Sequence, residues 1–134
     1  MPNLAYKTPV SHPENTSSDA KSLIAALYNA VDGKNTSDLG EFLADDLRFQ
    51  LGNFDEVRGK DAVLETNEAF FQIIDRMTHR IDGTWAQGDD IICKGEVHYK
   101  RLDQSELSLP FATVLRMKSG LIQDYQIYVD VTPL

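Results

Sequence analysis

At 134 residues, with 42% apolar and 25% charged side chains, the chain has the size and composition of one globular domain and is too short for two. A formal charge of −8 and a pI of about 4.7 set its surface against nucleic-acid backbones and anionic membranes, so neither is expected as a partner. The one cysteine, Cys93, excludes an internal disulfide, no Cys/His cluster has zinc spacing, and neither a signal-type apolar stretch nor a bilayer-length apolar run is present, which makes the cytoplasm the expected compartment.

Residues 1–16 hold Pro2, Pro9 and Pro13 without periodicity, which predicts a flexible arm ahead of one folded domain, 17–134. Ser17-Ser18-Asp19 is an N-cap cluster, and Ala20, Leu23, Ile24, Leu27, Tyr28 and Val31 then recur at helical spacing, predicting a helix over 18–33 that stops at Asp32-Gly33-Lys34-Asn35. Thr36-Ser37-Asp38 is read as the cap of a short helix over 37–43. Leu47, Phe49 and Leu51 alternate with Arg48 and Gln50 as a half-buried strand. Val63, Leu64, Asn67, Phe70, Phe71 and Ile74 mark a third helix over 60–75. After Asp75 the period becomes two, and the runs 78–87, 90–101, 107–118 and 121–131 are separated by connections so short that they must pair antiparallel. Helices first and strands after imply an α+β domain whose helices cover one face of the sheet. Cys93, in Asp90-Ile91-Ile92-Cys93, reads as a packed strand residue.

Four strings carry a resemblance: Phe42-Leu43-Ala44-Asp45-Asp46-Leu47-Arg48-Phe49, Arg58-Gly59-Lys60-Asp61-Ala62, Leu109-Pro110-Phe111 and Asp124-Tyr125-Gln126-Ile127-Tyr128-Val129-Asp130. In that order and spacing the chain, over about 17–132, resembles the nuclear transport factor 2-like superfamily in its SnoaL-like, polyketide-cyclase-type branch. The resemblance implies a cone-shaped α+β barrel: three helices closing a strongly curved, mainly antiparallel sheet around an apolar pocket. It does not imply one activity, because this fold hosts isomerases, dehydratases, epoxide hydrolases, cyclases and binders without catalysis.

The site then depends on which polar residues face inward. Alternation puts Glu96 and His98 on one strand face and Val97 and Tyr99 on the other. A carboxylate and an imidazole one repeat apart can move protons near neutral pH; with Lys94 and Lys100 on the same face, the row reads equally as an exposed polar ladder. Asp130, with Tyr128 on its face, reads as an inward base or as a strand-end cap. In the scytalone dehydratase branch, pocket histidines that help remove a hydroxyl as water occupy positions similar to His79 and His98. Their companion aspartate follows a tyrosine on the first helix, where this chain has Tyr28-Asn29. In the limonene epoxide hydrolase branch an aspartate resembling Asp130 activates water, but its Arg-x-Asp partner pattern is absent from Gly95-Glu96-Val97-His98. The carboxylates of the ketosteroid isomerase branch are replaced by Leu51 and Ala112.

Tyr28, Phe49, Phe71, Trp85 and Tyr128 are candidate pocket walls, with plain core as the alternative for the aromatics. Trp85 shares a face with His79 if Gly83 adds no bulge. No metal is expected, since Asp45-Asp46 and Asp89-Asp90 read as turn carboxylates. The expected function is acid–base chemistry without a cofactor (dehydration, isomerisation or cyclisation) on a small hydrophobic, oxygenated molecule. His98, Asp130, His79 and Glu96 would carry it, His98 and Asp130 converging in one cavity with His79 near its rim. The alternative is a ligand-binding or dimerisation module without catalysis. A homodimer is expected through the open sheet face, on Val97, Tyr99, Val129 and Val131.

Overall fold

Ala20, Ile24, Leu27, Tyr28 and Val31 are all buried, so the 3.6-residue stripe read in the sequence is the core face of the first helix, α1 (Ser17–Asp32). The computed structural model describes residues 17–134. The arm expected over 1–16 lies outside the described residues. A short helix α2 (Thr36–Gly40) follows; its N-cap is Asn35, whose side chain accepts from the Asp38 N–H at 2.9 Å. The chain continues as β1 (Leu43–Leu51), β2 (Val57–Arg58), α3 (Lys60–Gln72), β3 (Ile74–Gln87), β4 (Asp90–Arg101), β5 (Glu106–Lys118) and β6 (Leu121–Tyr128). These form three helices packed on a curved, mostly antiparallel sheet, the α+β cone expected from the sequence.

The six strands run in the order β2-β1-β6-β5-β4-β3, and β1–β6 is the parallel pair. Two helix ends differ from the sequence reading. Phe42 O accepts from the Ile122 N–H at 2.8 Å, which draws the chain into the sheet and places Leu43 on β1 instead of α2. Ile74 is buried and pairs with Arg101, so α3 stops at Gln72. Among the described residues no helix is long and apolar enough to cross a membrane.

One irregularity decides which side chains reach the interior. Between the pairs Ile81↔Gly95 and Gly83↔Lys94, β3 carries one extra residue, Asp82. Met77 and His79 face inward before this bulge, and Thr84 after it, so β3 changes phase and Trp85 turns out. β4 has no shift against β5, and Ile91, Cys93, Val97 and Tyr99 are all buried. Lys94, Glu96, His98 and Lys100 therefore stand on the outer face. The core lies between that inner face and α1, α2 and α3, and Leu115, Ile122 and Leu47 fill its centre.

Candidate active site

Tyr28 and Asp32 are four residues apart on α1 and so share one helix face. That face lies against β3, where His79 points inward. Asp32 holds His79 twice: Oδ2 accepts the His79 backbone N–H at 2.9 Å, and Oδ1 lies 2.6 Å from Nδ1. A carboxylate can only accept, so Nδ1 carries a hydrogen and, in the neutral ring, Nε2 keeps the lone pair. The imidazole is further fixed by the Tyr28 ring, 4.3 Å away between centroids, and by Phe111 edge-on at 5.0 Å. The His79 side chain is only 9% exposed, and no described residue hydrogen-bonds its Nε2.

Around this ring lies a cavity of about 50 Å³, whose walls include Phe49, Phe71, Val97, Tyr99 and Asn67 with His79. Tyr99 is 3% exposed, and among the described residues its hydroxyl has no hydrogen-bond partner. Burial, and next the charge of Asp32, push this phenol up to about 12, so it remains a hydrogen donor. Asn67 gives its amide N–H to Val63 O at 2.9 Å, and no described residue bonds its carbonyl end. Deeper in, the Tyr125 hydroxyl donates to Tyr28 at 3.2 Å, and the Tyr28 hydroxyl lies 2.5 Å from Thr113 Oγ1. Burial raises Tyr28 well above the usual phenol range and Cys93 to about 11, so both are neutral near pH 7. Among the described residues no group of three His, Cys, Asp or Glu side chains is placed to hold a metal.

A histidine and a buried neutral phenol in the walls of one small apolar cavity sit on a scaffold with known relatives. The model of the SnoaL-like domain matches residues 24–125. The chain belongs to the SnoaL-like domain family. Among solved structures it is similar to a LEH-like epoxide hydrolase from M. tuberculosis, at 17% identity and a TM-score of 0.74, covering 86% of this chain and 85% of that one. It is also similar to a candidate SnoaL-like polyketide cyclase from Jannaschia sp. CCS1, at 12% identity, a TM-score of 0.79 and 94% of each chain. An NTF2-like protein of unknown function from Burkholderia pseudomallei K96243 matches at 18% identity and a TM-score of 0.76, over 83% of this chain and 90% of that one. At these identities the likeness concerns the fold. No curated protein matches the sequence.

Of the residues singled out in the sequence, this SnoaL-like domain brings His79, Tyr28, Phe49 and Phe71 to the cavity. The other five lie elsewhere. His98 stands on the outer face, with Nδ1 2.7 Å from Ser108 Oγ and Nε2 2.7 Å from Glu106, because the inward phase of β4 falls on odd-numbered residues. Glu96 shares that outer face and meets Arg80 at 3.1 Å. Asp130 follows β6, is exposed, and accepts the Thr132 N–H at 3.0 Å; hydrogen bonding from the Thr132 side chain, and next from this N–H, lowers its carboxyl from the usual value. His98 and Asp130 therefore do not converge in the cavity. Tyr128 lies outside on β6, and Trp85 is turned out by the bulge at Asp82. Val97, Tyr99 and Val129, assigned from the sequence to an open sheet face, line the cavity instead.

The sequence reading missed Asp32, taken as a helix stop, and Tyr99, assigned to the wrong face. The signal for Asp32 was its spacing from Tyr28: an acid one turn beyond a stripe residue, at the end of a helix that packs on the sheet.

Proposed function

We propose that this SnoaL-like domain catalyses proton transfer on a small, apolar, oxygenated molecule, with His79 as the base and Tyr99 as the donor to the substrate oxygen. The observation that carries this reading is the Asp32–His79 pair, with Nε2 free of described partners, in the wall of a cavity that Tyr99, its hydroxyl also without a described partner, lines as well. Asp32 holds the tautomer and stabilises the imidazolium that forms. Nε2 takes a proton from a carbon next to a carbonyl, and the electron pair of that C–H bond becomes the C=C of an enolate. The enolate oxygen is stabilised by the Tyr99 O–H in a site that excludes bulk water. Return of the proton to a different carbon isomerises the substrate. Departure of a β-hydroxyl, protonated by the imidazolium, releases water and restores neutral His79. Each cycle closes on protein groups alone.

A short methyl ketone tests the chemistry without knowledge of the natural substrate. In D2O, the protein should speed loss of the α-proton NMR signals of 2-pentanone above the buffer rate. His79→Gln should lower that rate roughly 100-fold or more with an unchanged circular dichroism spectrum. Exchange at the buffer rate while the ketone still binds would overturn catalysis and favour a ligand-binding module.

The outer face bears on assembly. Trp85, Ile92 and Val114 are cross-strand neighbours, and Tyr128 stands one row away; Trp85 is 52% and Tyr128 59% exposed. The pairs Arg80–Glu96, Arg116–Asp90 and Arg48–Asp124 place both signs of charge on the same face. A face with both signs around an apolar row can complement itself across a two-fold axis, and we assign it to a second copy of this chain. Light scattering should give about 30 kDa, twice the 15.1 kDa chain, and Trp85→Asp should shift the mass toward that of one chain. A single-chain mass for the unmodified protein overturns the assignment.

A further inference from the structure

The cavity beside His79 is too small for the whole of an apolar substrate. At about 50 Å³ it has room for a few atoms at the reacting end and little more. Beyond one of its walls lies a second depression of about 300 Å³, between α3 and the segment 51–57. Phe49, Leu51, Thr66 and Phe70 line both spaces and form the partition between them. The far side of the depression is almost wholly apolar, with Val57, Ala69, Phe54 and Ile73 around it and Asp55 as its charged member. Phe54 and Ile73 are 54% and 59% exposed, an apolar pair held open to water at the mouth. Phe70, half-buried and edge-on to Tyr99 at 6.1 Å, is one of the two aromatic rings in that partition.

We infer that the site takes an elongated amphipathic molecule, with its carbonyl or hydroxyl end at His79 and Tyr99 and a hydrocarbon chain passing Phe70 into the depression. This rests on the proposed function for the position of the polar end. Its own content is the chain and the place where the chain lies. The wall that the two spaces share, Phe49, Leu51, Thr66 and Phe70, argues for one ligand. An apolar depression beside a small cavity with a polar end matches a molecule with the same division.

The test uses the homologous ketones 2-pentanone, 2-heptanone and 2-nonanone, with dissociation constants from calorimetry on the full chain. Affinity should rise roughly threefold per added methylene, as each leaves water for the depression. Ala69→Trp, at an exposed position of α3, fills the depression; it should leave 2-pentanone binding unchanged and remove the gain for the longer ketones. Ile73→Ser, also at an exposed position, should weaken 2-nonanone more than 2-pentanone and serves if the tryptophan variant does not fold. Equal affinity along the series, or the same gradient in both variants, overturns the inference. His79→Gln separates it from the catalytic reading: that variant should lose deuterium exchange and keep the chain-length gradient. A gradient without exchange in the unmodified protein would retain the chain site and remove the acid–base assignment.

Discussion

Asp32→Asn is expected to slow proton exchange about 10²–10⁴-fold while leaving the fold intact. The reason lies in the two bonds Asp32 makes. The His79 backbone N–H needs an acceptor at 2.9 Å, so the new amide must turn its oxygen there. Its NH2 then faces Nδ1, where Asp32 Oδ1 now lies at 2.6 Å. Two donors cannot share that contact, so Nδ1 gives up its hydrogen and Nε2 acquires one. The nitrogen facing the cavity then has no lone pair to offer. Asp32→Ala leaves the imidazole free to adopt either tautomer and should be less damaging than Asp32→Asn. A purely structural role predicts the reverse order, since asparagine keeps the shape and one of the bonds. Long-range proton–nitrogen spectra of His79 should show the hydrogen on Nδ1 in the parent and on Nε2 in Asp32→Asn. A variant that exchanges as fast as the parent, with the tautomer reversed, would remove His79 from the chemistry.

Much of this arrangement was legible in the sequence, and the gaps have physical causes. Period 3.6 marked α1 and α3, and period two after Asp75 marked the meander, because each stripe buries a real core face. Alternation also grouped Glu96 with His98 and Val97 with Tyr99, as the structure has them. It could not say which group faces in, because a strand with apolar residues on one side and charged ones on the other has no intrinsic inside until helices cover one face. The lysines flanking His98 were the better guide, since two ammonium groups are costly to bury. Trp85 failed for another reason: one unpaired residue at Asp82 reverses the phase of β3, and Asp-Gly in a strand-like run does not by itself announce a bulge. Asp32 was hidden because an acid at a helix end is ordinarily a solvated stop. Its pairing arises only when β3 brings His79 to it from 47 residues away.

Gly95 is the position where one added methyl group should cost the fold most. A Cβ there would lie 1.8 Å from the Arg80 carbonyl oxygen and 2.9 Å from its carbon. Both are backbone atoms of the paired strand, so no side chain can swing aside and the two strands must part at the bulge. Gly95→Ala is therefore expected to cost about 3 kcal/mol or more and to lower the melting temperature by roughly 10 °C. Gly88→Ala is a useful comparison. Its Cβ meets nothing within 4 Å, and its φ of +59° leaves backbone strain as the main cost, on the order of 1 kcal/mol. Thermal unfolding followed by circular dichroism checks both, and a Gly95→Ala protein that melts with the parent would show that the bulge yields cheaply. The substitution also reaches the site. β3 holds His79 inward on one side of Asp82 and Trp85 outward on the other because the extra residue is accommodated opposite Gly95. If the strand relieves the clash by slipping one residue, every side chain on that arm changes face, and His79 leaves Asp32 for solvent. A Gly95→Ala protein that still folds should therefore lose proton exchange along with stability, a joint loss that packing damage away from β3 would not produce.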